Sequence, residues 1–114
     1  MTTISINQAR QRFKALPGTI QDAIFSVHTA EIIRRIGEQN HLPLEKISGL
    51  AEATGMVFLG FIHSEELKIE IQERLGADAK LAASLAESLI SRVFTPIKNE
   101  LDEIYTPLVD DTPS

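Results

Sequence analysis

The sequence predicts an all-α fold, a compact bundle of five or six helices in one domain at residues 1–105. Apolar residues recur every three to four positions over most of the 114 residues, the period at which one side of a helix faces a core. Helix caps and helix breakers interrupt that pattern at intervals. The composition is 43% hydrophobic but only 5% aromatic, with no Trp. Ile, Leu, Val and Ala therefore fill most of the expected core.

The first third of the chain predicts one short helix and two further helical segments. Either Ser5 or Asn7 can cap the first helix, and Pro17-Gly18 ends it. Thr19 is the expected cap of the second segment and Thr29 that of the third. The pattern leaves open whether these last two segments form one bent helix.

The remaining elements follow from caps, glycines and prolines. Pro43 suits the first turn of a central helix, and the run Met56–Ile62 is apolar on all sides, which predicts burial on every face. A strand is rejected for this run because the chain offers it no partner strand. Ser64 and Gly76 are the expected start and end of the next helix. Asp78 begins the last long helix, which we expect Pro96 to kink or restart.

Glycines and apolar residues outside the main stripes indicate how the helices pack. Gly49, Gly55 and Gly60 are spread along the central helix and predict that a neighbouring helix, internal or from a second copy, approaches closely. Phe25 and Ile69 lie beside the main apolar stripes. They form either an exposed second apolar face, which would mark a partner site, or helices buried on two sides of a small bundle, and for Phe25 we expect burial.

A shift of 35 residues superposes residues 28–62 on 63–97 with eight identities. Each unit reads as a helical hairpin, which predicts two stacked hairpins flanked by an N-terminal helix and an acidic C-terminal helix. Chance similarity between two helical units is the alternative. Residues 106–114 hold two prolines and two adjacent aspartates and predict a flexible acidic tail.

The stretch LEKISGLAEATGMVFLGFIHSEEL resembles segments of small, uncharacterised all-helical bacterial domains. The resemblance covers residues 30–105 and lies in general helical patterning with a glycine-punctuated apolar helix. It implies the all-helical fold and no particular activity.

Composition excludes several classes of function. The absence of Cys removes disulfides, thiol catalysis and thiolate metal sites. No nucleophile elbow, phosphate-binding loop or cofactor motif is present, so we expect neither an enzyme nor a bound cofactor or small-molecule ligand. We find no secretory signal and no apolar run long enough to cross a bilayer, and therefore expect a cytoplasmic protein without a membrane span.

One metal-binding hypothesis arises from a repeated pair of residue types. His28 and Glu31, like His63 and Glu66, are three residues apart and share a helix face. If the two pairs converged, two imidazoles and two carboxylates could hold a transition metal. The competing interpretation is helix-start chemistry, in which each Glu favours the helix dipole.

A basic surface is the second hypothesis, and it points to a nucleic-acid-associated regulator. Residues 1–36 carry a net charge of +3 and residues 37–114 a net charge of −8, within a total of −5. The bases that would contact phosphates are Arg10, Arg12, Lys14, Arg34 and Arg35. The overall acidity argues against a broad phosphate-binding surface, and an arginine near a helix end also interacts favourably with the helix dipole.

Protein–protein interaction is the function the sequence favours, as an adaptor or oligomerisation module. The preferred docking element is the acidic C-terminal segment, because Pro96 partly uncouples it from the preceding helix. Its apolar stripe consists of Ile97, Leu101, Ile104, Tyr105 and Leu108. A basic partner, or the basic N-terminal region of a second copy, would suit it.

Overall fold

The structure, a computed structural model, describes residues 4–106, and within that range it is an all-α bundle without strands. Its helices are α1 (Ile6–Ala15), α2 (Gly18–Ile24), α3 (Val27–Gln39), α4 (Leu44–Phe58), α5 (Leu67–Leu75), α6 (Ala79–Leu89) and α7 (Lys98–Ile104). A π-turn at Ile90–Phe94 and a 3-10 turn at Thr95–Ile97 join α6 to α7. If α6, α7 and the turns that join them are counted as one bent helix, the bundle has six helices, which confirms the prediction of five or six. No helix in the described part is long and apolar enough to span a membrane.

Several predicted helix ends are confirmed. Ser5 caps α1 through a capping box, in which its Oγ accepts from the Gln8 N–H at 3.1 Å and Gln8 Oε1 accepts from the Ser5 N–H at 2.8 Å. Asp78 caps α6, with its Oδ1 2.8 Å from the Leu81 nitrogen. Gly76 ends α5 in the left-handed conformation at φ +64°. Each of these signals acts within one helical turn of its own residue.

Three predicted caps are wrong, because each helix starts earlier than expected. Thr19 lies inside α2, which begins at Gly18 after an uncapped Pro17. Ser26 caps α3 by accepting from the Thr29 N–H at 3.4 Å, so α2 and α3 are separate helices that break before it. His63, rather than Ser64, caps the 3-10 turn Ser64–Glu66 that leads into α5.

The apolar run Met56–Ile62 is buried as predicted, apart from the half-buried Leu59. The helix nevertheless stops within the run at Phe58, where Gly60 turns the chain at φ +79°. A Cβ at Gly60 would lie 2.7 Å from the carbonyl oxygen of Ile104, so the end of α7 packs directly on this glycine. The Gly60 carbonyl also accepts from the Thr106 N–H at 2.8 Å. The rest of the predicted tail, residues 107–114, lies outside the described residues.

Helices α3 and α4 form one hairpin, and α5 and α6 form a second. Helix α4 begins at Leu44 and α6 at Ala79, which are 35 residues apart like the paired segments of the sequence. Helix α4 packs against α5 and α3, and α6 packs against α5 and α3. The space between the hairpins is filled by fully buried Leu and Ile side chains: Ile36, Leu50, Leu67, Ile71, Leu85 and Leu89.

One buried ionic group ties the second hairpin to the first. The Arg74 guanidinium donates from Nε to Glu70 Oε1 at 2.8 Å and from Nη1 to Glu52 Oε2 at 2.9 Å. The Glu70 side chain is only 7% exposed, while that of Glu52 is 66% exposed. Since a buried carboxylate needs a cation and hydrogen bonds to stay charged, Arg74 is required for Glu70 to occupy this place.

Candidate partner-binding groove

A groove runs along the outer side of α4, and it is the main apolar concavity that the described residues leave open. Its larger part has a volume of about 380 Å³. Helix α4 contributes seven residues to the floor: Leu44, Ile47, Ser48, Ala51, Thr54, Gly55 and Phe58. Helices α2 and α3 contribute Ile24, Thr29, Ala30, Ile33 and Arg34 to the walls. We call this concavity, together with its extension described next, the docking groove.

The groove continues toward the end of α4 as a second cavity of about 290 Å³. Its wall is formed by Ala9, Arg10 and Phe13 of α1. Ile24 and Gly55 line both cavities, so the two cavities adjoin each other. The docking groove therefore extends from Leu44 at the start of α4 to Leu59 just past its end.

The middle of the floor consists of small residues. Ser48, Ala51 and Gly55 are spaced three and four residues apart, which places them on one face of the helix. A Cβ at Gly55 would meet no atom within 4 Å, so the space above it is open. A neighbouring helix packs closely at Gly49 as predicted, since a Cβ there would lie 3.0 Å from Leu75 Cδ1. At Gly55 the described chain supplies no such neighbour, and a neighbour from a second copy stays a prediction.

Large apolar side chains stand exposed at the groove and beside it. Leu44, which lines the floor, is 79% exposed, and Phe25 and Val27, at the junction of α2 and α3, are each 75% exposed. Phe25 packs edge-on against the groove residue Phe13, with ring centroids 5.3 Å apart. The prediction that Phe25 is buried is wrong, because nothing within residues 4–106 covers its outer side. Apolar side chains clustered around a concavity are typical of a protein-binding surface.

The groove walls carry two arginines, and neither has an ion-pair partner among residues 4–106. Arg10 and Arg34 are the charged residues among the lining of the two cavities. Within residues 4–106, no carboxylate forms an ion pair with either guanidinium. The groove is thus apolar along its length and positive at its walls.

The remaining members of the predicted basic surface lie elsewhere. Arg12 is used inside the molecule, since its Nη1 donates to the Leu59 carbonyl at 2.9 Å and its guanidinium stacks 4.1 Å from the centre of the Phe61 ring. Burial lowers the pKa of Arg12 below its usual value. Lys14 and Arg35 are exposed and line neither cavity of the groove. Of the five predicted bases, two therefore lie on the groove walls, one is bonded to its own chain, and two are exposed elsewhere on the surface.

The predicted metal ligands do not assemble into a site. Among the described residues no group of three or more His, Cys, Asp or Glu side chains is placed to hold a metal ion. His28 and Glu31 are exposed in the first turn and a half of α3. Glu66 Oε1 accepts from the His63 N–H at 3.0 Å and from the Tyr105 hydroxyl at 2.7 Å. The four-ligand hypothesis is wrong because the structure does not bring the two pairs together, and His63 and Glu66 are engaged at their own helix start.

His63 acts as a structural tie between the second hairpin and α7. Its Nδ1 accepts from the Glu65 N–H at 3.2 Å, which assigns the ring proton to Nε2, and Nε2 lies 2.7 Å from Asp102 Oδ1. Both ring nitrogens are engaged, so neither can accept a proton from a nucleophile in this arrangement. Lys98 hydrogen-bonds the other oxygen of Asp102 at 2.9 Å. The adjoining cavity, about 40 Å³ in volume, holds no more than a few water molecules.

The predicted docking element at the C-terminus packs against the core of its own chain. Leu101 is buried, and Ile97 and Ile104 pack partly buried against the core. Tyr105 packs edge-on against the His63 ring, with centroids 5.4 Å apart. Leu108 lies outside the described residues. Pro96 does restart the helix as predicted, but the restarted segment folds back onto the bundle, so the described part of this stripe is at least partly covered by its own chain.

No family model matches the chain, and neither the curated proteins nor the solved structures that were searched gave a match. The functional conclusion therefore rests on the groove. Sequence reasoning missed it, although its signal was visible as small residues at helical spacing in α4, which we interpreted only as close packing of a neighbouring helix.

Proposed function

We propose that this protein is a non-enzymatic adaptor or oligomerisation module that binds a helix of a protein partner in the docking groove. The observation that carries the proposal is an open apolar groove on α4, flanked by the exposed side chains of Leu44, Phe25 and Val27. Burial of a side chain of this size stabilises a complex by about 1.5–3 kcal/mol at most. A few such anchors suffice for a specific complex of moderate affinity.

The shape of the groove favours a helix as the occupant. Its floor is one face of α4, which spans 15 residues and is therefore about 22 Å long. Small residues on a helix face allow a second helix to approach closely, at axis separations of about 8–10 Å. Helical walls offer no unpaired backbone edge, so an extended peptide would gain no added strand pairing from them. We place the protein in the cytoplasm, which the absence of Cys supports.

A substitution that fills the groove tests the proposal. Ala51 is exposed on the floor, so Ala51→Arg blocks the groove without disturbing the core. Gln39→Arg is the matched control, since it adds the same guanidinium at an exposed position of α3 that lines neither cavity. The native partner, captured by the unsubstituted chain and identified by mass spectrometry, should be lost with Ala51→Arg and retained with Gln39→Arg. Equal capture by both folded variants contradicts the proposal.

A further inference from the structure

The charges on the groove walls indicate which kind of helix fits. Arg10 on the α1 wall and Arg34 on the α3 wall are both exposed, and every other lining residue of the two cavities is uncharged. We propose that the docking groove selects an amphipathic helix that carries carboxylates on its flanks and an apolar stripe between them. This inference rests on the proposed function and adds the chemistry of the partner.

The two arginines are uncompensated within the described chain. Glu31 and Glu38 lie three residues before and four residues after Arg34, spacings that allow ion pairs on a helix. Neither forms one, and none of the described carboxylates pairs with Arg10. A carboxylate brought by a partner therefore meets a guanidinium that is free to bind it, in a geometry that can be bidentate.

The positions of the arginines set the spacing of the partner's acids. A Cβ at Gly37 would meet the Ile47 side chain, so Gly37 of α3 lies beside Ile47 of α4. Because the two helices are antiparallel, Arg34, one turn before Gly37, lies beside the turn of α4 that follows Ile47. Arg10 lines the cavity that Gly55 and Leu59 share. Along α4 the two guanidinium-bearing positions are thus separated by about two helical turns. A docked helix meets both walls at once if it carries an acid on each flank, with the two acids offset by about two turns along its axis.

A protein helix is favoured over nucleic acid by the surface between the two charges. The groove lining is mainly apolar, which suits Leu, Ile or Ala side chains and offers a phosphate few polar groups between the two arginines. Arg12, a third base of the predicted phosphate-binding set, is already bonded to Leu59 and stacked on Phe61. The net charge of −5 also repels a polyanion as a whole.

A peptide selection on the full chain tests the inference. The library consists of amphipathic helices of about 15 residues, the length of the groove floor, with an apolar stripe and flank positions varied among Glu, Gln and Lys. Selected peptides are titrated by fluorescence anisotropy against the unsubstituted chain, Arg10→Glu, Arg34→Glu and Ala51→Arg. Arg35→Glu is the matched control, because Arg35 is exposed next to Arg34 but lines neither cavity.

We expect Glu to be enriched at flanks about two turns apart. Arg10→Glu and Arg34→Glu should each weaken binding about threefold, as for exposed ion pairs, with a smaller change for Arg35→Glu. The double variant Arg10→Glu/Arg34→Glu should prefer the Lys-flanked version of the same peptide. Enrichment of neutral or basic flanks, with binding still lost in Ala51→Arg, overturns this inference and leaves the proposed function standing.

Two further outcomes also decide the matter. If no selected helix is sensitive to Ala51→Arg, both the inference and the proposed function fail. If mixed-sequence duplex DNA binds at Arg10 and Arg34 more tightly than any selected peptide at the same salt concentration, a nucleic-acid surface replaces the acidic helix.

Discussion

The two helical hairpins are built in the same register but differ in what covers them. Leu50 in the first and Leu85 in the second are equivalent under the 35-residue shift, and both are fully buried. The residues that follow them, Ala51 and Ala86, are also identical, yet Ala51 is exposed while Ala86 is only 4% exposed. Identical residues at equivalent positions thus have opposite environments, because a neighbouring element is present at one and missing at the other.

The difference separates a hairpin that is covered by its own chain from one that, within residues 4–106, is covered only in part. In the second hairpin, α6 packs against both α5 and α3, and α7 folds back onto the core. In the first hairpin, the outer face of α4 is only partly covered by the short α2 and α1, and the docking groove is the part that remains open. We infer that a partner helix supplies the missing neighbour of α4.

The largest expected effect comes from the buried ion pair of the second hairpin. Arg74→Met leaves the carboxylate of Glu70 in the core without the guanidinium, so we expect a loss of about 3–5 kcal/mol in the free energy of unfolding. Arg34→Met, the same change on the exposed α3 wall, should alter it by less than about 0.5 kcal/mol. Urea denaturation of both variants measures the contrast, and similar losses would contradict the difference between the two hairpins.

The next largest effect is expected at Gly60, where α7 closes over the end of α4. Gly60→Ala forces a left-handed residue and a contact 2.7 Å from the Ile104 carbonyl oxygen, for which we expect a loss of about 2–4 kcal/mol. Gly76→Ala is the control, because it has the same sign of φ but no atom within 4 Å of the added Cβ. Gly76→Ala should lower the free energy of unfolding by only about 1–2 kcal/mol, which is the cost of the left-handed conformation alone. Equal losses in thermal or urea unfolding would show that α7 does not press on Gly60.

An effect of opposite sign is expected on the groove floor. Gly55 lies inside α4 with open space above it, so Gly55→Ala should stabilise the fold by about 0.4–1 kcal/mol. The added methyl group also raises the floor, and we expect the same variant to bind the partner helix more weakly. Denaturation and anisotropy on one protein sample measure both. A stabilised variant with unchanged affinity would move the docking surface away from Gly55.

The smallest effect is a pH dependence of the tie between α7 and the second hairpin. Hydrogen bonds from Lys98 and then from His63 hold the pKa of Asp102 below its usual value. Since the folded pKa is depressed, this stabilisation is present above the unfolded pKa of about 3.9 and is lost as the pH falls through the lower folded value. Asp102→Asn should flatten that part of the stability profile. An unchanged acid limb would contradict the role of Asp102.

Tyr105 makes the contact between α7 and the second hairpin depend on pH at the alkaline end of the stability profile. Its hydroxyl donates to Glu66, which raises the pKa of Tyr105 above its usual value. Its stabilisation is therefore present below the unfolded pKa of about 10 and is lost as the pH rises through the folded value. Tyr105→Phe should remove this component, as ultraviolet titration of the phenol and unfolding at alkaline pH would show.

Sequence signals that act within one helical turn predicted the fold well. Features that depend on contacts between residues distant in the sequence were not predicted. Asp78 and Gly76 were correctly placed because a cap or a left-handed glycine acts within one turn of its own helix. The caps at Ser26 and His63 were missed because a second candidate stood nearby in each case, and only the backbone path decides between them. The all-helical class was predicted correctly because it depends only on the recurrence of apolar residues every three to four positions.

Which apolar stripes face the core was predicted wrongly at two places, for one physical reason. An apolar stripe shows that a helix has a neighbour, but not whether that neighbour belongs to the same chain. The stripe that holds Leu101 was expected to face a partner and faces the core, whereas Phe25 was expected in the core and is exposed. The small residues of α4 likewise predicted a close neighbour, which the described chain supplies at Gly49 and leaves out at Gly55.

Site-specific photocrosslinking in the native cells tests the central claim most directly. A crosslinking amino acid replaces Ala51 on the groove floor or, as a control, Ser84, which is exposed on α6 of the second hairpin. We predict adducts at position 51, mapped by mass spectrometry to one helical segment of another protein or of a second copy, and none above background at position 84. Adducts at position 84 alone, or equal labelling at the two positions, would contradict the assignment of binding to the first hairpin.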